Sequence, residues 1–93
     1  MPPRRQSTPR SAEHAALGEA VRLTRVEAGL SQEALADAAD LHITVLGDVE
    51  RGVGNPEYAT LVKLARALGV APGVLVSRAD ELAEHSTDRA TAD

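Results

Sequence analysis

Side chains that could support catalysis or bind a metal ion are scattered along this 93-residue chain and form no recognisable motif. There is no cysteine, which excludes disulfides and thiolate metal sites. The three histidines, His14, His42 and His85, fall on separate predicted elements and lack the spacing of a metal-binding pair such as H-E-x-x-H. There is no glycine-rich phosphate loop, and the carboxylates are scattered along polar helix faces. We therefore predict that the protein is not an enzyme and binds neither a metal nor a cofactor.

Basic side chains are the other group that could do chemistry, because Lys and Arg bind nucleic-acid phosphates. The net charge of −4 argues against a general attraction to DNA. The charge is uneven, however, since residues 1–11 carry three arginines and no acid, giving +3. Residues 12–77 carry a charge of −4 and residues 78–93 a charge of −3. Any attraction to phosphate must come from the N-terminal segment and a few placed arginines.

Residues 31–52 have the spacing that could place a few side chains against a nucleic acid. Ser31 is a hydroxyl N-cap, and Gly52 suits the position just after a helix. Between them, a break at residues 40–42 separates two apolar stripes at helical spacing. The stripes consist of Leu35, Ala36 and Ala39, and of Val45, Leu46 and Val49. Two short helices with so tight a joint indicate a helix-turn-helix, a unit that sets its second helix in the major groove of DNA.

The same periodicity along the rest of the chain predicts an all-α fold, a compact bundle of five helices. The predicted helices cover residues 12–28, 32–39, 43–50 and 56–68, and a last segment that begins at Pro72. Tyr58 is the only aromatic residue, so the core must consist of Leu, Val and Ala. Such small side chains suit short helices that pack closely.

The chain divides into three predicted segments. Residues 1–11 contain three prolines and no apolar periodicity, and we expect them to be a disordered basic arm. Residues 12–77 form the helix-turn-helix domain, and residues 78–93 form a C-terminal helix extension with a polar tail. No stretch approaches the roughly 20 apolar residues that span a membrane, and we find no signal peptide. We therefore expect a cytoplasmic protein without membrane contact.

Several short motifs occur in an order and at spacings that resemble one known family. They are Leu17-Gly18, Arg25, Gly29-Leu30-Ser31-Gln32, Leu35-Ala36, Glu50-Arg51-Gly52, Asn55-Pro56, Thr60-Leu61 and Ala67-Leu68-Gly69-Val70. Together they extend over residues 14–76 and resemble the Cro/C1-type (XRE) helix-turn-helix family of phage repressors and bacterial regulators. The resemblance implies a lambda-repressor-like DNA-binding domain of five helices, usually a homodimer on a palindromic operator.

The resemblance also implies roles for individual residues. Arg25 and Glu50 match an ion pair that joins the first helix to the end of the third. Gln32 and Arg51 match positions that contact DNA phosphates. The positions expected at the DNA bases are Ile43, Thr44 and Asp48, with Gly47 beside them and His42 at the N-cap.

The expected reading face departs from the family pattern, in which Gln, Arg, Ser or Asn are common. Ile43 could only pack on a thymine methyl, and Asp48 could only accept from cytosine or repel phosphate. Asp40 replaces the glycine usual in the turn, which Asp tolerates if its φ is positive. Two interpretations stay open: the helix reads a T-rich or C-containing half-site with few hydrogen bonds, or it has lost DNA reading and binds a protein.

We expect a transcriptional regulator, in the simplest case a repressor, that binds double-stranded DNA as a homodimer. The apolar side of the fifth helix is longer than a small core requires and could form the dimer contact. Its positions are Leu75, Val76, Ala79 and Leu82. The alternative is an interaction protein, such as an antitoxin, that binds a partner protein and for which DNA binding is secondary or lost.

Overall fold

The computed structural model describes residues 8–91, and their side chains as far as His85. The described part of the chain consists of five helices: α1 (Ala12–Glu27), α2 (Gln32–Ala38), α3 (Ile43–Glu50), α4 (Tyr58–Leu68) and α5 (Pro72–Thr91). The predicted all-α, five-helix fold is confirmed. Residues 1–7 of the predicted arm lie outside the described residues, and α5 continues as a helix into the segment that we expected to be a polar tail.

One fully buried residue from each helix meets the others at the centre of the domain. The five are Val21, Leu35, Leu46, Leu64 and Leu75, and each has 0% of its surface exposed. Burying a side chain of this size stabilises the folded state by roughly 1.5–3 kcal/mol. Because α2 and α3 each contribute to this core, the helix-turn-helix is fixed to the other three helices and not only by its own turn.

The contact between α1 and α5 is the most extensive of any helix pair in the described chain. Ala16 and Ala20 on α1 and Ala79 on α5 are buried there, and Leu17 and Leu82 pack against them. Small side chains let two helix backbones approach closely, which allows a small core to remain well packed.

This packing corrects the predicted dimer surface. Leu75 is fully buried in the core and Ala79 is 9% exposed against α1, so neither has surface to offer a second chain. Leu82 is half-buried against the same alanine cluster. Of the four predicted positions, Val76 alone is well exposed, at 46%. The apolar side of α5 is used within the chain because α1 covers it.

A glycine sets the close crossing of α1 and α3. A Cβ atom added to Gly18 would lie 2.6 Å from the carbonyl oxygen of Glu50 and closer still to that of Val49. The backbone of α1 therefore rests directly on the last turn of α3, without an intervening side chain. This contact determines how far α3 stands from the rest of the domain.

Helices α1 to α4 end in the same Schellman arrangement, in which a residue of left-handed φ follows the helix. In α2, the N–H of Leu41 donates to the carbonyl of Ala36 at 2.8 Å, and the N–H of Asp40 donates to that of Asp37 at 3.1 Å. The left-handed residue is Asp40 in α2, with φ 55°, whereas the other three helices use Gly29, Gly52 and Gly69. The turn between α2 and α3 thus has an aspartate at a left-handed position, a conformation that glycine adopts with the lowest energy.

Asp40→Gly should raise the free energy of unfolding by about 1 kcal/mol, because an L-residue loses roughly that much in a left-handed conformation. Urea denaturation followed by circular dichroism measures the change. Asp40→Ala is the matched control, since it removes the negative charge from the C-terminal end of α2 but keeps a Cβ atom in the left-handed turn. If Asp40→Ala reproduces the whole gain, charge and not turn conformation is responsible.

Candidate nucleic-acid interface

α3 is anchored on its inner side and capped at its start. Leu46 and Val49 are 0% and 3% exposed and face the core. The ring Nδ1 of His42 accepts a hydrogen bond from the backbone N–H of Thr44 at 3.1 Å, so His42 is the N-cap. Val45, which the sequence pattern assigned to the inner stripe, is instead 41% exposed. With 3.6 residues per turn, Val45 lies well to the side of the face that Leu46 and Val49 share.

The outer side of α3 and the first turn of α2 form a shallow depression. Its lining residues are Gln32, Ile43, Thr44, Gly47 and Arg51. The structure therefore brings five of the seven expected DNA-contact residues to one surface. Of the other two, His42 caps α3 and Asp48 pairs with Arg51. An outward helix face with polar groups beside it has the form of a surface that can enter a major groove.

Arg25 and Glu50 form the expected ion pair between α1 and α3. Arg25 Nε donates to Glu50 Oε2 at 2.7 Å, and Arg25 Nη2 donates to Glu50 Oε1 at 3.1 Å. Arg25 Nη1 also donates to the carbonyl of Leu30 at 2.9 Å. The Glu50 side chain is 4% exposed and that of Arg25 is 14% exposed. This two-pronged contact fixes the end of α3 to α1.

Gln32 has a partner that sequence reasoning missed. Its Nε2 donates to Glu50 Oε1 at 2.9 Å, and the side chain is half-buried. The amide thus ties the start of α2 to the end of α3 instead of projecting freely toward a phosphate. A glutamine after a serine N-cap carries no sequence signal for a partner that lies 18 residues further along the chain.

Arg51 folds back along the outer side of α3. Its Nη2 lies 2.6 Å from Asp48 Oδ1, with side-chain exposures of 41% for Arg51 and 28% for Asp48. The guanidinium also covers Gly47, because a Cβ on Gly47 would lie 3.1 Å from Arg51 Nη1. Arg51, expected at a phosphate, and Asp48, expected at a base, are therefore paired with each other.

The start of α1 is fastened to the loop that follows α3. The backbone N–H of Arg10 donates to Gly52 O at 2.9 Å, and Arg10 Nε donates to Val53 O at 2.8 Å. His14 Nε2 lies 3.1 Å from Asn55 Oδ1, within hydrogen-bond distance. Arg10, which we expected to belong to a disordered arm, is thus held in place beside the end of α3.

Two further arginines pair with carboxylates on α1. A hydrogen bond from Arg22 lowers the pKa of the Glu19 carboxyl, and the same contact raises the pKa of Arg22. A hydrogen bond from Arg78 on α5 likewise lowers the pKa of Glu27. Both pairs are at least partly exposed, so water screens them and their contribution to stability is small.

Within the described residues, no three histidine, aspartate or glutamate side chains come together as a metal site. No single helix among them is long and apolar enough to cross a membrane. Only α4 and the Pro72–His85 part of α5, taken together across a bend of 101°, reach that length and apolar content.

Known proteins share both the sequence pattern and the fold. The helix-turn-helix family model HTH_3 matches residues 21–75. Control protein C.BamHI of Bacillus amyloliquefaciens is 43% identical over 56 residues, which cover 59% of this chain and 69% of that protein.

Two crystal structures show the same arrangement of helices. The restriction-modification controller protein C.AhdI from Aeromonas hydrophila has a TM-score of 0.69 and 38% identity, covering 70% of this chain and 98% of that one. The clp gene regulator ClgR from Corynebacterium glutamicum has a TM-score of 0.76 and 28% identity, with 90% of each chain covered. Since the family model spans more than half of the sequence, the chain belongs to the HTH_3 family of Cro/C1-type (XRE) helix-turn-helix proteins.

Proposed function

We propose that this protein is a sequence-specific DNA-binding regulator of transcription that places α3 in the major groove. The observation that carries the proposal is the outward face of α3, which is anchored by Leu46 and Val49 and shares one depression with Gln32 and Arg51. A major groove admits an α-helix, and helix-turn-helix domains contact base edges with the N-terminal residues of the second helix. The similarity to restriction-modification control proteins and to a gene regulator supports the same function.

The electrostatics imply that affinity depends on a few contacts. The net charge is −4, and four arginines pair with carboxylates within the described chain. They are Arg22, Arg25, Arg51 and Arg78. Few phosphate contacts release few counterions, so we expect a shallower salt dependence than for a protein with about 6–10 such contacts.

We further propose that the protein acts in the cytoplasm as a homodimer on a palindromic operator, where occupancy represses transcription. Two copies of α3 would enter successive major grooves with half-site centres about 34 Å apart. On α5, Val74 and Val76 are each 46% exposed. Because positions two apart lie on different sides of a helix, Val76 remains the candidate apolar contact between the subunits, and Val74 is exposed on another side of α5.

The alternative is a protein-interaction module, such as an antitoxin. The observation that favours it is the exposure of two apolar side chains on different sides of α3, Ile43 at 39% and Val45 at 41%. Exposed apolar side chains suit a protein partner as well as a thymine methyl.

Selection of bound duplexes from a random DNA pool tests the proposal. The full chain should enrich one motif, arranged as an inverted repeat. Thr44→Asp places a carboxylate on the exposed face of α3 and should lower affinity for the enriched DNA by at least ~10-fold. Ser77→Asp makes the same change of charge at an exposed position of α5 and should leave that affinity nearly unchanged.

The outcomes separate the parts of the proposal. An empty selection would reject DNA reading and favour the protein-interaction alternative. Enrichment of single half-sites would reject the palindromic operator and retain the DNA-reading helix. Equal losses for Thr44→Asp and Ser77→Asp would show that α3 is not the reading element.

A further inference from the structure

The middle of the reading face is occupied by a side chain that belongs to the next turn. Gly47 has no side chain of its own to present to a base. Arg51 lies four residues further on, and positions four apart share one face of a helix. Its Nη1 lies 3.1 Å from the place where a Cβ of Gly47 would stand. The guanidinium thus fills the surface that the glycine leaves open.

Asp48 holds that guanidinium in one orientation. The contact joins Arg51 Nη2 to Asp48 Oδ1 at 2.6 Å, which is the length of a strong charge-assisted hydrogen bond. A guanidinium carries five N–H donors in one plane, so one contact through Nη2 leaves donors for another acceptor. The carboxylate therefore positions the arginine without using up its hydrogen-bonding capacity.

We propose that Arg51, positioned by Asp48 across Gly47, reads a guanine in the major groove, an inference that rests on the proposed DNA-binding function. Guanine presents two acceptors, O6 and N7, and a bidentate arginine is the side chain that matches them most often. Arg51 is thereby assigned to a base and not to a phosphate, and Asp48 acts as a positioning residue and not as an acceptor from cytosine.

This arrangement separates recognition from general attraction. The charge of Asp48 offsets that of Arg51, so the pair adds little to the pull of phosphates on the free protein. The hydrogen bonds from Arg51 to a base form where a guanine lies opposite the guanidinium. A chain with a net charge of −4 would in this way obtain base discrimination without a strongly basic surface.

The test measures the affinity of purified full-length variants for the DNA motif enriched from a random pool, and for single-base-pair substitutions of that motif. The wild type should lose roughly 5- to 150-fold when the guanine is replaced, which corresponds to the ~1–3 kcal/mol of a bidentate contact. Arg51→Lys keeps the positive charge but loses the rigid planar fork of the guanidinium. Its discrimination at that base pair should therefore fall several-fold below that of the wild type, with a smaller loss of affinity for random DNA.

Two substitutions of Asp48 remove the same charge, and only one of them keeps an acceptor oxygen. Asp48→Asn keeps a side-chain oxygen for Arg51 and should retain most of the discrimination against other base pairs. Asp48→Ala has no acceptor, so its discrimination against other base pairs at the guanine position should fall several-fold. Affinity for random DNA should rise equally in both variants, because both lose the negative charge. Thermal melting confirms that each variant is folded.

Three results would overturn the inference. The first is an Arg51→Lys variant that discriminates among base pairs as well as the wild type does and loses affinity equally for all DNA sequences. That result would make Arg51 a phosphate contact only. Another is equal discrimination in Asp48→Ala and Asp48→Asn, which would remove Asp48 from the positioning role. Both results would leave the proposed function standing, whereas failure to enrich any motif would reject the function together with the inference.

Discussion

Glu50→Ala is expected to lower the free energy of unfolding by about 3–5 kcal/mol, the largest effect that we predict for a single residue. Glu50 is 4% exposed and accepts three hydrogen bonds, two from Arg25 and one from Gln32. Its removal leaves a largely buried guanidinium without a counter-charge. Since small domains are stable by only about 5–15 kcal/mol, the loss should be plain in urea denaturation followed by circular dichroism.

Two control variants identify the cause of that loss. The double substitution Arg25→Met with Glu50→Leu removes both charges and should cost much less than Glu50→Ala, because no buried charge is left unpaired. Glu50→Gln keeps one acceptor oxygen and should fall between the two. If the double variant is as unstable as Glu50→Ala, lost packing and not the unpaired arginine accounts for the effect.

Gly18→Ala should destabilise the domain by about 1–3 kcal/mol, although alanine normally favours a helix over glycine by about 1 kcal/mol. The added methyl group would meet the backbone carbonyls of Val49 and Glu50, which cannot rotate away as a side chain can. α3 must therefore shift away from α1. We expect a lower midpoint of thermal unfolding and weaker binding to the DNA motif enriched by selection.

Gly73→Ala provides the matched control for that prediction. Gly73 also lies in a helix, and nothing stands within 4 Å of the place where its Cβ would be. The substitution should be neutral or should stabilise the domain by up to about 1 kcal/mol. If Gly18→Ala and Gly73→Ala behave alike, the close contact between α1 and α3 is not needed for stability.

Periodicity and capping residues were sufficient to predict the helix-turn-helix. The predicted bounds of 43–50 match α3, because His42 and Gly52 mark both ends and Leu46 and Val49 mark one face. The pattern failed for Val45, since an apolar residue next to another apolar residue is ambiguous between the inner and the lateral side of a short helix. Burial decides that question, and burial depends on the neighbouring helices.

Two further features, the burial of the apolar side of α5 and the pairing of Arg51 with Asp48, could not be predicted from the sequence. An apolar stripe that includes Leu75, Ala79 and Leu82 looks the same whether it packs on α1 of its own chain or on a second chain. Arg51 contacts Asp48 beside Gly47, where a Cβ atom would lie only 3.1 Å from Arg51 Nη1. Sequence spacing places these residues on one face but does not indicate that they bind each other.

The hydrogen bonds that hold Arg10 to Gly52 and Val53 have a practical consequence for work with recombinant protein. Because Arg51 directly precedes these two residues, Arg10 lies beside the end of α3 that we propose to face DNA. An affinity tag or fluorescent protein attached upstream would be tethered there and would compete sterically with a duplex. Labels for binding assays therefore belong at the other terminus, or should be cleaved off before measurement.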